Sequence, residues 1–447
     1  MDVRQMKQIG LLLAIMIFGL TACSDDDSFS TSRNHQLTFS VDTVKMDTVF
    51  SNVASRTYSF WVFNRSGDGI RLNTVRLRNG NQTGFRVNVD GSYLDNTTGS
   101  VVNELEVRKG DSLQVFVELT APENRQLEPQ QLEDHLLFQL ESGVEQRVCL
   151  QAYSWDAVKL TDLTVAADTV IESAKPIVIY GDGIKVDSGA VLTIRNTTLF
   201  FHDQAGITVN GILKTEKAVL RGDRLDHMFD YLPYDRVSGQ WRGIRFGRSS
   251  TGNELTDTEI RNATTAVQID SAAINTTIQR LTMQHCVVHN SKGDGVCAVH
   301  SNIHLSYCLL TNTLGDCLAL YGGVAVIDHC TLAQFYPFDA KRGAALRFVG
   351  ISDMTLTCTN SLVTGYDEDV VMGERPDTTS VFDYQFSDCL LRTPAVEDDT
   401  VSFKHIIWET PKDSIQGKQH FVKIDEKNLD YDFHLDSLST AQGLGCY

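Results

Sequence analysis

LTMQHCVVHN, residues Leu281–Asn290, decides the fold, because it returns 22 residues later as IHLSYCLLTN (Ile303–Asn312) and after 22 more as AVIDHCTLAQ (Ala325–Gln334). In each copy a cysteine stands two residues before a branched apolar residue, as Cys286 does before Val288. No 3.6-residue period runs inside the copies, so they do not read as helices. One position of the repeat thus always holds a small residue, and the position two residues later always holds a branched apolar residue. Such columns of like residues predict short strands that stack about 4.8 Å apart.

Other segments fit the same frame, although inserted loops vary their spacing: Leu192–Phe201, Leu255–Asn262, Leu356–Gly365 and Gln385–Thr393. The column of small residues reads Thr197, Thr258, Cys286, Cys308, Cys330, Ser361 and Cys389. A repeat of about 22 residues with three short strands predicts a parallel β-helix, which we assign to residues 158–447.

The repeated cysteines Cys286, Cys308 and Cys330 are expected to lie inside the coils as reduced thiols, one per coil. Side chains that point in parallel suit disulfide geometry poorly, and small buried thiols pack as hydrophobes. Metal ligation is the alternative, but cysteines at this spacing match no zinc motif. We therefore expect neither a metal site nor a cofactor.

Two further columns fall on the turns of the repeat. Asn290 and Asn312 align, and we expect their side chains to form an amide ladder between coils. Asp294 and Asp316 align in the same turn, which would place their carboxylates about 5 Å apart. That separation is close to that of a retaining glycosidase, so the pair is the candidate catalytic site. Turn capping is the alternative role, because Gly-Asp pairs are common in turns.

Residues 36–157 alternate between apolar and polar positions in short segments separated by turn sequences such as NRSGDG and KGD. The segments are Tyr58–Asn64, Ile70–Leu77, Phe85–Val89, Val101–Val107, Asp111–Leu119, Leu136–Leu140 and Gln146–Ala152. A period of two over about seven strands predicts an antiparallel β-sandwich. The segment has no nucleophile or metal motif, so we interpret it as a spacer for the domain that follows.

The first 22 residues read as a signal peptide, with Arg4 and Lys7 before the apolar run Ile9–Phe18. The run is too short to span a bilayer comfortably. LTAC, Leu20–Cys23, then resembles the lipobox of bacterial lipoproteins. The resemblance implies cleavage before Cys23 and its acylation, by palmitate among other chains, which anchors a protein without a spanning helix. An ordinary secretory signal is the alternative.

An acidic linker follows over residues 23–35 and begins with SDDD, Ser24–Asp27. It resembles the short export signal of surface lipoproteins in some Gram-negative anaerobes. The resemblance implies an outer-membrane protein that is exposed at the cell surface. A periplasm-facing protein with a solvated linker is the alternative.

Taken together, the lipobox, the alternating N-terminal segments and the 22-residue repeat resemble a family of bacterial surface lipoproteins of the Gram-negative anaerobe type. The resemblance also rests on YDFHLDSLSTAQGLG (Tyr431–Gly445), similar to the closing coil and turn of secreted β-helices, and on Arg221–Phe246, a loop between two coils. It implies an immunoglobulin-like β-sandwich followed by a right-handed parallel β-helix. It implies no particular activity.

The net charge of −18 argues against nucleic acid as a partner. Parallel β-helices often bind or cleave polysaccharides, and rings in the inserted loop, Tyr231, Tyr234 and Trp241, are candidate glycan-binding residues if they are exposed. The motif set of the pectin hydrolases of this fold is missing. Non-catalytic binding or display, of a glycan or a host-surface ligand, is therefore the favoured function. A lyase or hydrolase acting on an acidic polysaccharide is the alternative, and a purely structural envelope protein is the third.

Acylation at Cys23 has a direct test. We expect a fatty-acid probe to label the protein in growing cells, and Cys23→Ala to abolish the label and leave an uncleaved or soluble product. Protease shaving of intact cells then measures exposure, with Asp25–Asp27 changed to Ala as the variant for the acidic signal. A wild-type protein that takes up no label would refute the lipid anchor.

Overall fold

The computed structural model describes residues 28–94, 99–273, 277–409 and 417–447. Cys23 and the acidic segment up to Asp27 lie outside the described residues. Within them the protein is all-β, with three short 3-10 helices at Gly80–Thr83, Tyr234–Arg236 and Lys418–His420. Across the same ranges, no helix is long and apolar enough to cross a bilayer. The chain divides into two compact units, the first comprising residues 28–124 and Gln130–Ser154, the second Arg125–Pro129 and Trp155–Tyr447.

The described residues of the first unit form ten strands. They are β1 (Leu37–Phe39), β2 (Thr43–Phe50), β3 (Tyr58–Asn64), β4 (Ile70–Leu77), β5 (Phe85–Val89), β6 (Ser92–Tyr93), β7 (Val101–Val107), β8 (Ser112–Leu119), β9 (Gln130–Leu140) and β10 (Glu145–Trp155). They form two five-stranded sheets, ordered β1-β3-β8-β5-β6 and β2-β10-β9-β4-β7. All seven predicted strands are present, and β1, β2 and β6 were not predicted.

One hydrophobic core fills the space between these two sheets. Val62 and Val117 from one sheet and Val148 and Phe138 from the other belong to the same buried cluster, and all four are 0% exposed. Strand pairs such as β9 with β10 and β3 with β8 are antiparallel. The alternation of buried and exposed residues along each strand therefore produces a sandwich-like unit, as the period of two predicts.

The second unit contains the remaining strands. They are β11 (Val158–Val165), β12 (Thr169–Ile171), β13 (Ile177–Val186), β14 (Val191–Phe201), β15 (Gly206–Val209), β16 (Ile212–Gly222), β17 (His227–Phe229), β18 (Leu232–Pro233), β19 (Ile244–Phe246), β20 (Asn253–Thr256), β21 (Glu259–Arg261), β22 (Val267–Ile269), β23 (Leu281–Gln284), β24 (Val287–His289), β25 (Val296–Ser306), β26 (Leu309–Thr311), β27 (Leu318–Asp328), β28 (Thr331–Gln334), β29 (Leu346–Thr359), β30 (Leu362–Gly365), β31 (Val371–Glu374), β32 (Phe382–Ser387), β33 (Leu390–Leu391), β34 (Phe403–Lys404), β35 (Ile407–Trp408), β36 (Phe421–Asp425) and β37 (Asp430–Leu435).

Twenty-three of these strands form one large sheet, and among the described strands of the unit the hairpins β17–β18 and β36–β37 are separate from it. Within the large sheet, strands pair in parallel with strands one repeat later. Leu281 lies beside Ile303, which lies beside Ala325, so the predicted 22-residue repeat is the pairing register. Because each repeat returns to the same register, a residue type at one position forms a row that crosses the sheet.

A left-handed residue marks one corner of each repeat, just before the column of small residues. His285, Tyr307 and His329 have φ values of 50°, 52° and 48°. Their rings stack on one another, with centroids 5.0 Å and 4.8 Å apart. The bend turns the chain so that the next residue, Cys286 in the first case, points inward.

The same bend explains why the column contains cysteine, threonine and serine. The Cys308 thiol donates to the carbonyl of Ser306, two residues before it, over 3.3 Å. Thr258 and Ser361 donate to their own equivalent carbonyls over 2.8 Å and 2.7 Å. These carbonyls already accept a backbone hydrogen bond from the preceding repeat, as Ser306 does from the N–H of His285 over 3.1 Å. A small side chain with a donor hydrogen therefore gives the carbonyl at the bend a second hydrogen bond and satisfies its own donor.

The prediction of interior thiols is confirmed. Cys286, Cys308 and Cys330 are each 0% exposed and are free cysteines. Burial raises the pKa of the Cys308 thiol well above its usual value, so the group stays protonated and can donate.

The expected amide ladder at the other corner is wrong. Asn290 donates its amide to the carbonyl of Asp235 over 2.9 Å instead of to Asn312. Asn262, one repeat earlier, donates to the carbonyls of Asp235 and Val237 over 2.8 Å and 3.0 Å. These turn residues hold the inserted loop between β16 and β19, whose own carbonyls need donors.

The end of the chain also departs from expectation. Residues Tyr431–Gly445 were expected to form a last coil, but β36 and β37 are an antiparallel hairpin. The hairpin residues Phe421 and Phe433 pack with outward-facing residues of the parallel strands, among them Leu309 and Leu362. The hairpin therefore covers an apolar row that would otherwise face water.

A buried ion pair anchors the entry to this hairpin. Arg392 and Glu409 are 1% and 4% exposed as residues, and their side chains meet at 3.0 Å. Glu409 also accepts a hydrogen bond from Thr364 over 2.7 Å and lies 3.6 Å from His420, at the start of the hairpin. Breaking one partner of such a set leaves an uncompensated buried charge, so the set specifies where the hairpin docks.

The hydrogen bond made by the column of small residues predicts a large difference in stability between two substitutions of Cys308. Cys308→Asp places a carboxylate among carbonyl acceptors in the core, and we expect it to lower the free energy of unfolding by at least about 4 kcal/mol. Cys308→Ser keeps a donor hydrogen and should cost less than half as much. Urea denaturation measures both, and an aspartate variant as stable as the serine variant would contradict the role of the donor.

Candidate functional site

One outward-facing row of the large sheet carries polar or charged side chains at most of its positions. Parallel register aligns, in order, Thr164, Lys185, Thr208, Arg245, Gln268, Cys297, Ala319, Arg347 and Met372. We call these residues the polar row. Its neighbours on each strand point inward, as Ile244 and Phe246 do at 1% and 0% exposure. Nine strands at about 4.8 Å give the row a length of about 38 Å.

A groove follows the first half of the polar row. Two concavities of about 340 Å³ and 500 Å³ share Thr208 and Arg242, so they adjoin each other along the row and together form the groove. Lys185 lines the first, and Arg245 and Gln268 line the second.

Glycines form the wall of this groove where neighbouring repeats touch. A Cβ atom on Gly183 would lie 2.0 Å from the carbonyl oxygen of Gly206, and one on Gly243 would lie 1.8 Å from that of Thr265. Both glycines also have positive φ, 95° and 94°. Side chains are therefore excluded there, and their absence lets the backbones of neighbouring repeats approach closely beneath the groove.

Cationic and carboxylate groups alternate along the groove. Arg245 Nε lies 3.0 Å from both carboxylate oxygens of Asp270, and Lys185 Nζ lies 2.8 Å from Asp187. The side chains of Arg245 and Lys185 remain 65% and 58% exposed. Exposed ion pairs contribute about 0–1 kcal/mol, so a ligand can exchange them for its own hydrogen bonds at little cost.

The predicted catalytic pair lies at the far end of the polar row. Asp294 accepts a hydrogen bond from the backbone N–H of Asp316 over 2.9 Å. Asp316 accepts from the backbone N–H of Ala344 over 2.6 Å and from Arg347 Nε over 2.7 Å. Each carboxylate therefore caps the turn of the next repeat. Both oxygens of Asp316 are engaged, which favours the turn-capping interpretation over catalysis.

The two aspartates differ in their surroundings. Burial raises the pKa of Asp294, against the opposing hydrogen bond from the Asp316 backbone. Asp316 is 6% exposed and forms its ion pair with Arg347, a member of the polar row. The ion pair between Asp316 and Arg347 thus fixes the side chain of Arg347 near one end of the polar row.

The three aromatic candidates have different surroundings. Trp241, a candidate only if exposed, is 1% exposed and stacks on Phe201 with ring centroids 4.3 Å apart, so it is a core residue and cannot stack on a sugar. Tyr234 is half-buried under the guanidinium of Arg224, 4.3 Å from its ring centroid. Tyr231 is 72% exposed and is the candidate whose ring solvent reaches freely.

Sequence reasoning missed a second concavity, which we call the cleft. It has a volume of about 420 Å³ and lies beside the C-terminal hairpin. Residues that line it include Arg236, His289, Asn312, Tyr431 and Tyr447. No spacing rule joins these positions, since they come from an inserted loop, two repeats and the hairpin.

His289 is the buried titratable group of the cleft. Its Nε2 atom lies 3.0 Å from Glu259, which also pairs with Arg261 at 3.1 Å. Burial lowers the pKa of His289, so the imidazole is neutral at pH 7 and donates to the carboxylate. Burial opposes ionisation of Glu259, but the hydrogen bond from His289 and the charges of Arg261 and Arg221 outweigh it and hold the pKa of Glu259 at about 2.

The depressed pKa of Glu259 gives the protein a measurable pH dependence. An unfolded glutamate titrates near 4.3, so the carboxylate stabilises the fold above that pH and loses its contribution as the pH falls towards 2. Glu259→Gln should lower the free energy of unfolding at pH 7 by about 2 kcal/mol, and the difference should vanish by about pH 2. Denaturant unfolding across this range measures it, with the exposed Glu254→Gln as control. A difference that does not change with pH would contradict the account.

Comparison with known proteins adds little to this geometry. No family model matches the chain, and no curated protein matches it in sequence. One similar solved structure is a family 123 glycoside hydrolase from Clostridium perfringens, with 7% identity and a TM-score of 0.19 over 27% of this chain and 26% of that chain. Another is the ASH/PapD-like domain of human CEP192, with 11% identity and a TM-score of 0.18 over 30% of this chain and 95% of that chain. Similarity at this level carries no functional argument.

Proposed function

We propose that the protein is a lipid-anchored outer-membrane lipoprotein, exposed at the cell surface, that binds a glycan chain without cleaving it. In this proposal the first unit is an immunoglobulin-like spacer and the large sheet winds as a right-handed parallel β-helix. Each strand pairs in parallel with the equivalent strand of the next repeat, which supports the winding. Crossover connections between parallel strands are right-handed in about 98% of cases, which supports the hand. The signal sequence and lipobox support the anchor.

The observation that carries the binding proposal is the groove of two adjoining concavities along the polar row. A glycan is a repeating polymer, and its successive sugars match a surface that repeats about every 4.8 Å. The five strands of the groove, from Thr164 to Gln268, span about 19 Å, enough for about four sugar residues. A groove of this length fits an extended chain better than a compact small molecule.

The side chains of the groove match the chemistry of sugars. Hydroxyl groups both donate and accept, and the groove alternates donors, such as Arg242 and Arg245, with acceptors, such as Asp182 and Asp270. Arginine can also bind a uronate carboxylate in a two-pronged geometry. The groove can thus accept an acidic polysaccharide even though the whole chain carries a net charge of −18.

Glycan binding can be tested on an array of neutral and acidic oligosaccharides. Arg242→Ala combined with Arg245→Ala should weaken retention at least tenfold, because two donors of the groove are lost. Arg195→Ala is the matched control, since Arg195 is an exposed, ion-paired arginine outside the groove. Affinity that falls with added salt identifies an acidic ligand. Wild-type protein that retains no glycan would instead support the purely structural role.

The cleft supports a second candidate, a polysaccharide lyase. Neutral His289, oriented by Glu259, can remove the proton at C5 of a uronate while Arg236 neutralises its carboxylate. Tyr447 can then protonate the leaving oxygen as the C4–O bond breaks and a C4–C5 double bond forms. Burial and the nearby carboxylates of Asp432 and Glu259 raise the pKa of Tyr447 to about 12, which keeps it protonated at neutral pH.

Turnover separates the two candidates. Unsaturated products from alginate, pectin or glycosaminoglycan that disappear in His289→Ala, while the groove variants keep activity, would favour the lyase. Binding without turnover, lost only in the groove variants, favours the proposed function.

A further inference from the structure

The outer face of the first unit brings together three metal-ligating side chains. Cys149 on β10 lies directly opposite His135 on β9 in the antiparallel register. Glu133 stands two residues before His135, on the same face of the same strand. Directly opposite residues in an antiparallel pair have Cβ atoms about 4.5–5.5 Å apart, so a thiol, an imidazole and a carboxylate share one place.

The distances suit a small cation. One ligand atom from each side chain lies within 4.8 Å of the other two, and His135 Nε2 lies 4.0 Å from the Glu133 carboxylate. In a tetrahedral zinc site with bonds of about 2.0–2.3 Å, ligand atoms lie about 3.5 Å apart. A shift of about 1 Å in each side chain closes the set, which a rotation about one side-chain bond provides.

The strands hold two of the three ligands in place. The backbone N–H of Cys149 donates to Asp42 on one side over 3.0 Å, and the carbonyl of His135 accepts from Arg78 on the other over 2.9 Å. The His135 side chain is only 15% exposed, whereas Glu133 is 49% exposed and can rotate. The site is therefore pre-formed on its thiol and imidazole side and adjustable on its carboxylate side.

The local charge also favours a cation. The carboxylates of Glu133, Asp42 and Asp134 all act electrostatically on the Cys149 side chain, and Arg147 is the opposing charge.

We propose that Glu133, His135 and Cys149 bind a zinc ion on the first unit. A thiolate, an imidazole and a carboxylate together suit zinc, and neither calcium nor magnesium takes sulfur ligands. Three protein ligands leave a fourth position for water or for a donor from another molecule. This site is independent of the polar row and of the cleft.

Equilibrium dialysis of the purified, reduced full chain against Zn²⁺ tests the proposal. We expect about one equivalent to bind at micromolar Zn²⁺, and Cys149→Ser and His135→Asn each to weaken binding at least tenfold, since even outer-shell changes cost 10- to 100-fold. Cys446→Ser is the matched control, because Cys446 is another partly exposed thiol and should leave binding unchanged. With Co²⁺ as the probe, the thiolate-to-metal absorption band should appear and be lost in Cys149→Ser.

Thermal unfolding provides a second measurement that does not depend on stoichiometry. Zn²⁺ should raise the Tm of the wild-type protein and of Cys446→Ser, and should leave the Tm of Cys149→Ser unchanged. Far-ultraviolet circular dichroism without metal checks that the variants are folded. Wild-type protein that takes up no Zn²⁺, or uptake that persists in folded Cys149→Ser, would overturn the proposal.

Discussion

Parallel backbone pairing with a constant register is the constraint on which the second unit depends. Once Leu281 pairs with Ile303 and Ile303 with Ala325, every other position of the repeat is also placed above its equivalent. Rows of side chains that face the interior must then be apolar or have their hydrogen-bonding groups paired. Side chains that face outward line up from one repeat to the next and form stripes on the surface. The thiol column, the polar row and the apolar row under the C-terminal hairpin are all consequences of this one register.

The sequence predicts the repeated interior of the fold better than it predicts the inserted loop and the C-terminal hairpin. The cysteine and leucine columns predicted the register because buried positions tolerate few residue types and therefore repeat visibly. The inserted loop and the hairpin do not repeat, so nothing in their spacing predicts where they dock. Trp241 lies at the end of the inserted loop, where it pairs with Ala263 of the next repeat and stacks inward on Phe201, and no repeat spacing predicts that position.

The candidate sites also divide into those whose residues repeat at a fixed spacing in the sequence and those whose residues do not. Asp294 and Asp316 were found because they align at 22-residue spacing, although their contacts point to turn capping. Lys185 and Arg245 lie two strands apart in space, but a long insertion separates them in sequence, which hides their common row. Cys149 and His135 meet only through an antiparallel register, which a single sequence does not specify without the turn between the strands.

Because the hairpin β36–β37 lies at the end of the chain, the apolar row that it covers is the last part of the fold to be buried. The hairpin follows every strand that it covers, so the stripe containing Leu309, Leu362 and Leu390 faces water throughout synthesis until residue 435 has emerged. A chain interrupted between Glu409 and Phe421 would carry the whole parallel sheet with this stripe bare. Such a surface is the kind that chaperones hold and that drives aggregation, so the last residues to be synthesised decide whether the earlier ones stay soluble.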